Sequence, residues 1–151
     1  MSKTTVEILL VEDNPDDVEL TLHALRREKL ANTVQVARDG EEALDYIFCR
    51  GQYVGRNHVH PRVVLLDLKL PKIDGLQVLK EMKQDQRTKT IPVVILTSSR
   101  EERDLVSSYE LGVNAYIQKP VDFDQFRETV KTLGLFWLVV NQPPPAAALA
   151  A

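Results

Sequence analysis

Glu12 and Asp13 directly follow an apolar run ending at Val11, and Asp67 directly follows a second run, Val63 to Leu66. Thr97 comes straight after a third such run, and Lys119 after a weaker one, Ala115 to Gln118. Three carboxylates, a hydroxyl and an ammonium are therefore candidates for one site. Two like charges at ~4 Å repel by roughly 4 kcal/mol at an effective dielectric of 20, so clustered acids need a counter-charge. Oxygen donors favour a hard divalent cation, Mg2+ or Mn2+, over zinc. Lys119 would add a fixed positive charge. With both in place, one carboxylate can attack a phosphoryl group and carry it as an acyl phosphate. The cation and the lysine would neutralise the phosphoryl oxygens, and the Thr97 hydroxyl would bond one of them. Asp67, alone at the end of its run, is the candidate nucleophile.

Taken singly, each of these residues is ordinary. A lone aspartate at a strand end is commonly a turn former or a helix cap, and threonine is a good strand residue. Their joint placement after four different apolar runs is what departs from the ordinary. His23 reads as a surface histidine, and His58 and His60 as loop residues without a cysteine or carboxylate beside them. Cys49 reads as a small buried hydrophobe. A nucleotide-binding loop would place glycines after the first strand, where this chain has acids that repel phosphate.

The elements that must position these groups follow from the pattern. The runs Glu7–Val11, Val63–Leu66 and Pro92–Leu96 are apolar without alternation, the mark of strands covered on both faces. Thr33–Ala37 and Ala115–Gln118 read as strands nearer the edges. Helices are expected from Asn14-Pro15, over Gly40–Phe48, over Gly75–Gln84, from Ser98 or Ser99 to Leu111-Gly112, and from Phe123 into Val140. Arg50 to Pro61 reads as a long loop. Strand and helix thus alternate five times, which implies a doubly wound α/β fold with a five-stranded parallel sheet and right-handed crossovers. Ligands of such sheets bind beyond the carboxyl ends of the strands, where all five polar groups fall.

Composition bounds the function classes. The 151 residues are about one domain's worth, with 44% hydrophobic and 27% charged residues. Nineteen basic residues against 22 acidic give a net charge of -3, so a basic nucleic-acid face is not expected. No apolar stretch reaches the roughly 18 residues of a membrane span. One cysteine and no signal-peptide layout at Met1 to Val6 fit a cytoplasmic protein. A domain over residues 6–141 is expected, followed by a Pro/Ala tail, 142–151, that cannot pack a core and is disordered or in part a cloning remnant. Beyond Gly134 the apolar stripe widens to nearly the whole helix circumference. Two readings account for it: intramolecular packing that buries much of the stripe, or a homodimer seated on Phe136, Trp137 and Val140, the favoured one.

In order, Val11-Glu12-Asp13-Asn14, Leu66-Asp67-Leu68-Lys69-Leu70-Pro71 with Asp74-Gly75, Leu96-Thr97-Ser98 and Lys119-Pro120 resemble a response-regulator receiver domain of the chemotaxis-regulator kind. The resemblance covers about Val6 to Gly134. It implies a flavodoxin-like (β/α)5 fold and an Asp67 that accepts phosphate from the phosphohistidine of a sensor histidine kinase. It further implies Mg2+ held by Asp13, Asp67 and the backbone carbonyl of Lys69, with Glu12 acting mostly through water. Thr97 and Tyr116 match the family's switch pair, Lys119 its phosphate-binding lysine, and the Lys119–Pro120 bond is expected to be cis. Glu12 stands where many members carry aspartate. The Arg50-Gly51-Gln52-Tyr53 loop and the ending Phe136 to Pro144 are similar to the small response regulators paired with cyanobacterial phytochromes. The chain would then be no turnover enzyme; its output would leave by protein contact. Two rivals compete with this reading. A phosphorylation-independent docking module would have lost Asp67 or Lys119. An aspartyl-nucleophile phosphatase would carry an acid two residues on, where this chain has Lys69.

Overall fold

The computed structural model describes residues 8–26, 34–56, 60–108 and 110–134. Five strands, β1 (Ile8–Val11), β2 (Val34–Ala37), β3 (Val63–Asp67), β4 (Val93–Thr97) and β5 (Ala115–Gln118), form one sheet in the order β2-β1-β3-β4-β5. Every pairing is parallel. Five helices alternate with them: α1 (Pro15–Leu25), α2 (Gly40–Ile47), α3 (Gly75–Gln84), α4 (Arg100–Ser108) and α5 (Phe123–Thr132).

The unbroken apolar runs are explained by burial on both faces. Along β1, Ile8 and Leu10 pack with Val18 and Leu25 of α1 and Phe126 and Val130 of α5. Leu9 and Val11 enter the opposite core with Leu44, Leu79 and Val106 from α2, α3 and α4. A strand covered on both sides needs apolar residues at consecutive positions, as the sequence has. The strand order reverses between β1 and β3, and there the diverging crossovers leave a crevice at the carboxyl ends of the strands.

Each helix start has a local cause. The Asn14 side chain accepts hydrogen bonds from the N–H of Asp16 (2.9 Å) and Asp17 (3.1 Å), and Pro15 occupies the first turn. Asp39, Asp74 and Asp122 cap α2, α3 and α5 in the same manner. At α4 the expected capping pair is Ser99 with Glu102: Ser99 Oγ accepts from Glu102 N (3.2 Å), and Glu102 Oε1 accepts from Ser98 N (2.8 Å).

Three expectations need correction. The last helix does not run on as one rod into Val140; it closes at Thr132, and Gly134 takes φ +77°. Glycine relaxes the steric penalty there, and its N–H bonds the Lys131 carbonyl at 3.0 Å, a helix stop. Phe136, Trp137 and Val140 lie outside the described residues. Helix α4 ends at Ser108, ahead of Leu111-Gly112, because Glu110 already has φ +51°. Arg50 to Pro61 is the expected loop over its described residues, with one 3-10 turn at Gly51–Tyr53. The Tyr53 hydroxyl donates to Glu42 Oε2 (2.6 Å), and the Tyr53 ring meets Tyr46 edge-on at 5.0 Å. Cys49 is half-buried rather than buried, with φ +55° beyond the end of α2. His23 is exposed on α1, as expected, and His58 lies outside the described residues.

Candidate functional site

Glu12, Asp13, Asp67, Thr97 and Lys119 all stand at the carboxyl edge of the sheet, Glu12 and Asp13 beside Asp67 at the point where the strand order reverses. Glu12 is held there by its own backbone, whose N–H continues the β1–β2 ladder to Ala37 at 3.0 Å. Lys119 is placed by β4: its N–H donates to the Thr97 carbonyl at 2.8 Å, and the Lys119–Pro120 bond is cis as expected.

The Lys119 ammonium joins the acids. It lies 3.1 Å from Glu12 Oε1, 3.1 Å from Asp17 Oδ2 and 3.2 Å from Asp67 Oδ2. Asp17, on the first turn of α1, was not among the sequence candidates. Its one legible signal was position, a turn beyond Asp13, and helix-start acids are too common for that to stand out. The second oxygen of Asp67 faces the N–H of Lys69 (3.4 Å), and that of Glu12 the N–H of Asn14 (3.3 Å).

Burial sets the electrostatics. Glu12 is fully buried, and its carboxyl is pushed up to about 7, first by desolvation and then by a hydrogen bond and repulsion shared with Asp67, against the pull of Lys119. Desolvation works to lower Lys119, but Asp67, Asp17 and Glu12 outweigh it and hold the ammonium above its ordinary range. Glu12 thus binds a proton more tightly in the folded chain than in the unfolded one. Its contribution to stability is therefore complete below the unfolded value, near 4.5, and is lost as pH rises through about 7. In metal-free buffer the urea midpoint of wild type should fall from pH 5 to pH 8 more steeply than that of Glu12→Gln. Equal slopes would show that Glu12 is not perturbed.

One oxygen each from Glu12, Asp13 and Asp67 lie within 4.8 Å of one another, a set of hard donors close enough to share a divalent cation. Asp13 is exposed, which leaves that side open to water. The residues fit such an ion.

Thr97 is buried at the end of β4. The register pairs Ile95 with Tyr116 and Thr97 with Gln118, so Thr97 and Tyr116 stand one step apart on the sheet face that α4 covers. The Tyr116 hydroxyl is 2.9 Å from Ser107 Oγ of α4, and the Arg103 guanidinium lies 4.9 Å from the centre of its ring. The Lys69 ammonium is 3.2 Å from Glu102 Oε2, a bridge from an exposed lysine of the β3–α3 loop to a largely buried carboxylate of α4.

The pattern of the response regulator receiver domain matches residues 8–131. The chain belongs to that family. Among curated receiver relatives, it is 41% identical over 140 residues to the probable methanogenesis regulatory protein FilR2 of Methanothrix harundinacea, covering 93% of this chain and 88% of that one. To response regulator Rcp1 of Synechocystis it is 40% identical over 139 residues, 92% of this chain and 93% of that one. The Mn(2+)-bound structure of Rcp1 aligns with a TM-score of 0.69 at 39% identity, over 91% of this chain and 98% of that one. The bacteriophytochrome response regulator AtBRR aligns with a TM-score of 0.83 at 60% identity, over 89% of this chain and 96% of that one. The phosphorylated cyanobacterial phytochrome response regulator RcpA aligns at 0.71 and 42% identity, over 93% of this chain and 99% of that one. This receiver is therefore related to phytochrome response regulators, and receiver domains are as a class not turnover enzymes. Among the described residues no helix is long and apolar enough to cross a membrane.

Proposed function

We propose that the chain is a response regulator that takes a phosphoryl group onto Asp67 from a sensor histidine kinase of the phytochrome type, and signals through a protein surface that phosphorylation changes. The observation that carries this reading is the Lys119 ammonium within 3.2 Å of Asp67, at the rim where Glu12, Asp13 and Asp67 come together. The similarity to phytochrome response regulators, one of them solved in its phosphorylated form, supports the pairing.

An Asp67 oxygen would attack phosphorus in line as the bond from phosphorus to the donor's imidazole nitrogen breaks. Lys119 would neutralise a phosphoryl oxygen, and the Thr97 hydroxyl would donate to another. Asp13 and Asp67, with Glu12 acting mostly through water and the Lys69 carbonyl completing the set, would hold Mg2+, or Mn2+ in its place; the cation's chemistry is to offset charge on the phosphoryl oxygens. Phosphorylation adds about -1.5 to -2 charge at this rim. Thr97 drawn toward it would vacate space beside β5, and the Tyr116 ring would turn inward, leaving Ser107 and Arg103. The α4–β5–α5 face would then shift between two populations. A homodimer through Phe136, Trp137 and Val140, in a cytoplasmic protein without nucleic-acid or membrane contacts, completes the proposal.

Adding Mg2+ and beryllium fluoride, a phosphoryl mimic, should move backbone amide resonances of Tyr116, Ser107 and Arg103 in NMR spectra of the wild-type chain. Unmoved resonances on a chain that has bound the mimic would refute the switch.

A further inference from the structure

We propose that Asp17 is a positioning residue that anchors the Lys119 ammonium while Asp67 carries the phosphoryl group; this rests on the reading of Asp67 as phosphoacceptor. An ammonium has three N–H donors and no acceptor, and Lys119 has one carboxylate for each: Glu12 and Asp17 at 3.1 Å, Asp67 at 3.2 Å. Two of those three partners change state during the reaction. The Asp67 oxygen that becomes bonded to phosphorus is a poorer acceptor than a free carboxylate, so that N–H turns to a phosphoryl oxygen. Glu12 belongs to the acid trio that would share a cation.

Asp17 stands outside that trio and is built into a rigid frame. It occupies the first turn of α1, its own N–H bonded to the capping Asn14 side chain at 3.1 Å, next to Pro15. Its side chain is one-third exposed and that of Lys119 only 16% exposed, so the pair is partly shielded from water. When the other two carboxylates let go, Asp17 keeps the ammonium over the site rather than allowing the lysine stem to swing into solvent. It also ties the residue that follows β5 to the first turn of α1.

Phosphoramidate with Mg2+ tests this without a kinase: its P–N bond breaks as the Asp67 oxygen–phosphorus bond forms, and ammonia leaves with its proton on nitrogen. At saturating donor, Asp17→Ala should phosphorylate about tenfold more slowly than wild type, the worth of one charge-assisted hydrogen bond. Asp17→Asn, which keeps an acceptor oxygen, should recover part of the loss. Asp16→Ala makes the same charge change in the same helical turn, and should leave the rate unchanged. In 19F NMR of the beryllium fluoride complex, the fluorine facing Lys119 should shift in Asp17→Ala and the other fluorines should not. A rate unchanged or faster in Asp17→Ala, an equal loss in Asp16→Ala, or unshifted fluorine resonances would overturn the anchor. A wild-type chain that neither takes up phosphate nor binds the mimic would overturn the phosphoacceptor reading itself.

Discussion

Lys119→Met should destabilise the metal-free protein by about 2 kcal/mol at pH 8, and by much less at pH 5. The ammonium is the shared partner of Glu12, Asp17 and Asp67, of which Glu12 and Asp67 are buried. Methionine keeps the length of the stem and removes the charge, leaving those carboxylates facing one another. Removing one member of a buried ion pair costs about 3–5 kcal/mol. The smaller figure here reflects the one-third exposure of Asp17 and the ease with which Glu12, at about 7, takes up a proton. That same proton sets the sign of the pH effect. At pH 5 Glu12 is already protonated in the folded chain and needs the cation less; at pH 8 it is charged in wild type, so losing the cation costs either repulsion or the uptake of a proton. Millimolar Mg2+ should restore much of the stability at pH 8, because the acid trio can then share a different positive charge. Urea unfolding at both pH values, with and without Mg2+, reads all of this. A Met variant as stable as wild type at pH 8 without metal would mean that Lys119 does not neutralise the cluster.

Gly75→Ala should cost about 2–4 kcal/mol and impair phosphorylation as well. Gly75 opens α3, and its N–H closes the preceding loop onto the Leu68 carbonyl at 2.9 Å. A Cβ there would run into the carbonyl oxygen of Asp67 and the Cα of Leu68, both backbone atoms that cannot rotate away. The residue that must move is the proposed phosphoacceptor, so stability and chemistry fall together. Thermal melting and phosphoramidate uptake measured on the same sample decide it. Wild-type values for both would show that the loop has room.

The parts legible in the sequence are those where one residue type has one physical use. Consecutive apolar residues in β1, β3 and β4 mean burial on both faces, and Asn14-Pro15 and Ser99 with Glu102 mark helix starts by the hydrogen bonds they make. The acids are legible only jointly: each alone passes for a turn former or a cap, but three carboxylates, a threonine and a lysine at the ends of four separate strands do not. Asp17 is not legible, since an acid in a first helical turn is ordinary, and only the fold brings Lys119 to it. The end of α5 is hard to read from sequence: Leu135 to Val140 is as apolar as a buried helix, and the glycine at 134 is the one local mark of the stop. The anchoring of the loop after α2 is not legible, because it rests on Tyr53 meeting Glu42 and Tyr46, contacts that no local pattern announces.

The most direct test of the central claim is the address of the phosphate. Wild-type chain treated with phosphoramidate and Mg2+, reduced with borohydride and mapped by peptide mass spectrometry, should show homoserine at position 67, where reduction of an aspartyl phosphate leaves it. The Asp67→Asn chain, treated alike, should show no homoserine at any aspartate position. A reduced residue elsewhere in wild type with position 67 untouched, or phosphate still carried by the Asp67→Asn chain, would contradict Asp67 as the acceptor.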